Sequence, residues 1–164
     1  MHAICGETLP LTARLRVANG EGCGDGSAYC LRGVVSNDRY VTRAEKDELL
    51  SVQEPIGRES ACRGALIPIK KSDAWWSLPQ DTRRAIFEEQ SGHIALGKRV
   101  LPNVARRLHH CRDLDGGAPF DFLTWFDLSR ADEPLFDDLL GALRATEGAF
   151  SSVTTALPSE PSAP

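Results

Sequence analysis

Apolar and polar residues alternate at Leu11, Ala13, Leu15 and Val17, which predicts a strand within residues 6–18. A second strand is predicted over residues 29–35, YCLRGVV. Between them GEGCGDGS reads as a flexible glycine-rich turn, without the glycine, lysine and hydroxyl order of a phosphate-binding loop. Over residues 39–53, Val41, Ala44, Leu49 and Val52 fall on one side of a helix, and Ser36, Asn37 and Asp38 offer capping side chains. Residues 65–69, ALIPI, read as a short buried strand.

From Ser77 the periodicity becomes helical. Ser77 as cap, Pro79 in the first turn and Gln80 make a helix start. Ile86, His93, Leu96 and Val100 then share one face, Gly92 and Gly97 predict a bend, and Pro102 ends the helix. Over residues 104–111 the period falls to two. Val104, Arg106, Leu108 and His110 lie on one face of this strand, with Ala105, Arg107, His109 and Cys111 on the other. Residues 120–128, FDFLTWFDL, form the most strand-like segment of the chain. A helix over 132–146 buries Leu135, Phe136, Leu139, Leu140 and Leu143. The last fourteen residues, 151–164, are rich in Ser, Thr and Pro and read as a disordered tail. Strand–helix–strand units with strand pairs between them predict an α+β fold, a ferredoxin-like antiparallel sheet or barrel with flanking helices. The organisation expected is an N-terminal strand and glycine-rich loop over 1–28, one main domain over 29–150, and the tail.

Composition narrows the classes. The chain has 164 residues, 41% hydrophobic and 26% charged, with a net charge of −4, which suits a globular domain and argues against a nucleic-acid surface. No apolar run approaches the length of a membrane span, and the first residues lack the basic and apolar regions of a secretory signal. The five cysteines, Cys5, Cys23, Cys30, Cys62 and Cys111, are odd in number and irregularly spaced. They are expected to be small buried hydrophobes in a reducing cytoplasm.

Two residues carry the candidate chemistry. His93 sits on an apolar helix face, where a histidine is either a satisfied core residue or a metal ligand through a neutral nitrogen. Thirteen residues on, Arg106 is aimed inward with Val104 and Leu108. It is either half of an internal salt bridge, with Asp121 or Glu147 as partner, or a fixed cation awaiting an anion. Trp75 and Trp76 are core aromatics unless an indole N–H meets a buried acceptor, and Tyr40, Lys70 and Lys71 are further donors near them in the pattern. There is no C-x-x-C-H, so any haem would be held non-covalently as haem b.

The segments ALIPIKKSDAWWSLPQDTRRAIFEE, HIALGKRVLPNVARRLHHCRDL and PFDFLTWFDL together resemble the chlorite dismutase family, and its short-chain dimeric branch in particular. The similarity extends from Asp38 to Glu147. It implies one haem b per subunit, a homodimer, and decomposition of chlorite to chloride and dioxygen through a ferryl intermediate. His93 matches the family's proximal iron ligand and Arg106 its distal arginine. Trp75, Trp76 and Tyr40 fall where the family lines the haem and contacts its propionates. Gly148 stands where the family carries a glutamate that orients the histidine, with Glu147 one residue early. Two alternatives follow: a haem protein of this fold with weak peroxidase or haem-handling activity, and a haem-free dimerisation or interaction module.

Overall fold

The computed structural model describes residues 2–3, 16–20, 23, 25–114, 119–146 and 151–155. Its strands are β1 (His2–Ala3), β2 (Val34–Val35), β3 (Arg63–Lys70), β4 (Ala105–His110), β5 (Phe122–Leu128) and β6 (Ser151–Thr155). The helices are α1 (Arg43–Val52), α2 (Asp73–Ser77), α3 (Gln80–Arg84), α4 (His93–Lys98) and α5 (Glu133–Ala145). All strand pairs are antiparallel, in the order β1-β6-β3-β5-β4-β2. This is the expected α+β, ferredoxin-like arrangement.

The β3–β5–β4 centre of the sheet follows from alternation. Register runs Ala65↔Phe126 and Arg106↔Phe126, so Ala65, Phe126 and Arg106 stand side by side on one face. On that face Ala65, Ile67, Phe126 and Leu128 pack with Val100 and Val104 and with Phe136, Leu139 and Leu140 of α5. Each large apolar side chain buried this way contributes roughly 1.5–3 kcal/mol. Pro134 sits in the first turn of α5, where the missing N–H costs nothing.

Other elements depart from the sequence pattern. α1 starts at Arg43, not 39, because Thr42 and Glu45 form a reciprocal capping box. Ser36 and Asn37 instead bind the β4 backbone: Ser36 N–H donates to the Leu108 carbonyl at 2.8 Å, and Leu108 N–H donates to Asn37 Oδ1 at 2.7 Å. The strand expected over 29–35 is reduced to Val34–Val35, whereas that expected over 6–18 lies largely outside the described residues.

Where one long helix is expected from Ser77, α2 instead ends at Ser77, and α3, a π-helical turn at Ala85–Gln90 and α4 follow. Ser72, not Ser77, caps α2, with its hydroxyl accepting from Trp75 N–H at 3.2 Å. Ser151–Thr155, assigned on composition to a disordered tail, pairs with β3 and β1, where its Val and Thr residues suit a strand; residues 156–164 lie outside the described ones.

The cysteines also differ from expectation. Cys111 is buried and free as anticipated, and Cys62 is free and half-buried, but Cys23 and Cys30 are joined in a disulfide. The cysteine pattern therefore no longer argues for a reducing compartment. Among the described residues no helix is long and apolar enough to cross a membrane.

Candidate functional site

A cavity of about 540 Å³ opens between the sheet face and the helices. Its walls include Ile67 from β3, Leu108 from β4, Phe122 and Thr124 from β5, Ile94 from α4 and Leu139 from α5. This is within the range of roughly 300–1,000 Å³ typical of cofactor and ligand pockets.

His93 and Arg106 both line it. His93 is the first residue of α4, just past Gly92, whose left-handed φ of 58° turns the chain out of the preceding π-helical segment. Burial, then the fields of Arg106 and Lys71, push the imidazole down to about 3, so it is neutral with a nitrogen lone pair to offer.

Arg106 reaches the cavity through the period-two alternation of β4. Burial alone lowers its pKa. Protein surrounds the side chain while its head faces the cavity space, which is why it still shows partial accessibility. Among the described residues it has no carboxylate partner. Asp121, one of the two expected, is taken by Lys71 N–H at 2.6 Å and by the side chains of Arg112 at 3.3 Å and Lys70 at 3.9 Å. Glu147, the other, lies outside the described residues, as does Gly148. The Arg106 carbonyl accepts from Gln53 Nε2 at 2.9 Å, which ties β4 to the end of α1.

Tyr40 and Trp75 line the same cavity. Tyr40 holds a left-handed φ of 67°, uncommon for a residue with a side chain. Its ring meets Trp75 edge-on at 6.1 Å and Phe87 at 5.8 Å. The Tyr40 hydroxyl and the Trp75 indole N–H are buried with no hydrogen-bond partner among the described residues. A buried donor left unmatched costs about 1–3 kcal/mol, so these two are poised for an acceptor that the described residues do not supply.

Lys71 lies 4.4 Å over the Trp75 ring, and burial pulls it down to about 7 although Asp121 pulls the other way. Lys70 is half exposed and outside the cavity wall. Trp76 is also outside it. The ring stacks on Phe122 at 5.8 Å and lies between the guanidinium groups of Arg112 and Arg83.

Sequence pattern misses part of the wall. Arg39, Lys98 and Arg144 join Arg106 and Lys71 around the cavity, and among the described residues no Asp or Glu lines it. Of these, Lys98 is neutralised by Glu48 at 2.7 Å. So cationic a wall, in a chain of net charge −4, selects an anionic occupant. Arg39 and Arg144 come from a loop and from the last turn of α5, and no motif announces them. Phe87, whose ring sits 4.2 Å from that of His93, is hidden because a π-helical turn moves it off the regular helical face.

The donor set fits haem b. One neutral imidazole on an apolar-walled cavity would hold the iron, and two donors unmatched among the described residues, with surrounding cations, would suit two propionates. Among the described residues no group of three or more His, Cys, Asp or Glu is placed to hold a bare metal ion.

No family profile matches the chain. The dimeric chlorite dismutase of Nitrobacter winogradskyi has a crystal structure that superposes with a TM-score of 0.81 at 47% identity, over 94% of this chain and 89% of that one. A variant of the chlorite dismutase of Candidatus Nitrospira defluvii gives a TM-score of 0.61 at 28% identity, over 79% of this chain and 52% of that one. In sequence alone, the chlorite dismutase of Ideonella dechloratans is 33% identical over 78 residues, 48% of this chain, and the match spans only 25% of that longer protein. With near-complete coverage of the Nitrobacter protein at that identity and the same fold, this chain belongs to the chlorite dismutase family.

Proposed function

We propose that the chain is a haem b-dependent chlorite dismutase that converts chlorite to chloride and dioxygen, acting as a homodimer. The observation that carries it is one cavity with a neutral imidazole, a guanidinium that has no carboxylate partner among the described residues, and no described wall carboxylate. Dimeric assembly rests on the Nitrobacter protein, which is a dimer.

His93 would hold the iron through its neutral ring nitrogen. The Tyr40 hydroxyl and the Trp75 N–H would donate to the propionates, which matches both buried donors. When bound, haem b supplies the redox-active iron at which the Cl–O bonds of chlorite break and dioxygen forms. Arg106 does the remaining work from the protein. Its fixed charge draws a small anion into the cavity and retains the anionic fragments until the reaction closes, with no reorganisation at the moment of reaction. Chlorite has no proton to lose, and chloride and dioxygen account for all its atoms, so no general acid or base is needed. Ile67, Val104 and Leu139 give the cavity an apolar wall, which would favour a water-poor reaction centre.

The test has two stages. Hemin added to the purified chain should give a one-to-one Soret titration that survives desalting. Oxygen release on adding chlorite to that complex should then be seen at an oxygen electrode. A chain that stays colourless refutes the haem assignment, and a haem complex that releases no oxygen refutes the reaction.

A further inference from the structure

We infer that Glu88 is a positioning residue for His93, a side-chain stitch that fixes the angle at which the imidazole enters the cavity. The inference rests on the proposal that His93 would hold the iron.

α4 is only six residues long and begins at His93 itself. Ahead of it the chain leaves a π-helical turn and passes through left-handed Gly92, so His93 sits just beyond a break between two helical pieces. Two backbone bonds cross that break: Gly92 N–H to the Glu88 carbonyl at 2.7 Å, and Leu96 N–H to the Gly92 carbonyl at 2.8 Å. Both use Gly92, the most permissive residue in the segment.

The Glu88 side chain adds a bond that bypasses Gly92. Its Oε2 accepts from the Ile94 N–H at 2.6 Å, joining the π turn directly to the residue after the histidine. A charged acceptor on a first-turn N–H also suits the positive end of the short helix. The other side of the break is fixed as well: the Ser91 hydroxyl lies 2.8 Å from the Ile86 carbonyl and 2.7 Å from that of Phe87. The Phe87 ring then lies 4.2 Å from the His93 ring, tilted by 46°. Phe87 limits ring rotation, and Glu88 limits the tilt of the helix that carries the ring.

Glu88 does not line the cavity, so its effect must come through α4. The test compares Glu88→Ala, Glu88→Asp and Glu88→Gln in the full chain reconstituted with hemin. Readouts are the rate of hemin loss to excess apomyoglobin and the ferric electron paramagnetic resonance spectrum, with unfolding of the hemin-free chains followed alongside. The glutamine amide oxygen still accepts from Ile94 but without the charge, so Glu88→Gln should fall between the native chain and Glu88→Ala. Glu88→Ala should lose hemin about tenfold faster, the effect of one lost charged hydrogen bond, and give a heterogeneous high-spin signal. Glu88→Asp, which keeps the carboxylate, is one methylene short and should share the defect. Native loss rates and spectra in the alanine and aspartate variants would overturn the inference while leaving the haem assignment standing. A native chain that takes up no hemin would overturn both.

Discussion

Replacing Arg106 with methionine should make the hemin-free protein more stable and its hemin complex inactive. Arg106 stands in β4 among apolar neighbours and has no counter-charge among the described residues, and burial is the one cause that lowers its pKa. Burying an ion without a partner costs several kcal/mol, and an apolar side chain of similar length removes that cost. Part of the cost is already relieved because the guanidinium head faces cavity space. The gain expected is therefore at the low end, about 1–2 kcal/mol. For a domain of this size that is roughly 3–6 °C in Tm. Differential scanning fluorimetry of both hemin-free proteins checks the sign, and an oxygen electrode checks that chlorite no longer yields dioxygen. A fall in Tm of several degrees would refute the reasoning, since it would mean that Arg106 is held by a structural partner. Undiminished oxygen yield would remove it from the anion site.

Three further outcomes are expected. His93→Ala should abolish stable hemin binding, and an unaltered Soret band would place the iron ligand elsewhere. Glu45 is held at about 2, below its ordinary 4.5, first by its hydrogen bond from Arg84, so its folded-state value lies below the unfolded one. Its stabilisation is complete above about pH 4.5 and is lost as pH falls toward 2; Glu45→Gln should flatten that part of the acid-unfolding curve, and an unchanged curve would contradict the assignment. Gly33→Ala would place a methyl 2.6 Å from His109 Cβ and 3.0 Å from Cys111 Sγ, so β2 must shift, at a cost of about 1–3 kcal/mol. Urea denaturation at native stability would show that β2 yields freely.

The core strands are legible because their alternation has one cause: β3, β4 and β5 each turn one face to the helices and the cavity. That same alternation delivers Arg106, and a helical face delivers His93, to a common cavity. The tryptophan pair shows the limit of such patterns. Adjacent residues on a helix point about 100° apart, so a sequence pair does not say which member turns to a cavity; here Trp75 lines it and Trp76 packs on Phe122 outside it. The broken helix was partly visible in Gly92, but the π register depends on the Ser91 hydroxyl reaching two carbonyls, which periodicity cannot report. β6 is strand because β1 and β3 flank it, a fact about neighbours and not about its own Ser and Thr. The Cys23–Cys30 pairing is likewise invisible, since spacing alone does not choose among five cysteines.

The hemin-free fold carries several costs in one place: a guanidinium at Arg106 with no carboxylate partner among the described residues, and buried donors on Tyr40 and Trp75 that meet no acceptor there. Groups so arranged lower the stability of the empty protein; a ligand with one iron, two carboxylates and an apolar body would match Tyr40 and Trp75 and bind His93, leaving Arg106 for the small anion. Hemin should therefore raise Tm steeply. At a hundredfold excess over Kd the stabilisation is about 2.7 kcal/mol, which corresponds to a rise of roughly 5–11 °C. Protoporphyrin without iron keeps the carboxylates and the apolar body but offers His93 nothing to bind. A smaller shift with the metal-free porphyrin than with hemin separates the contribution of His93 from that of Tyr40 and Trp75, and equal shifts would show that the imidazole takes no part.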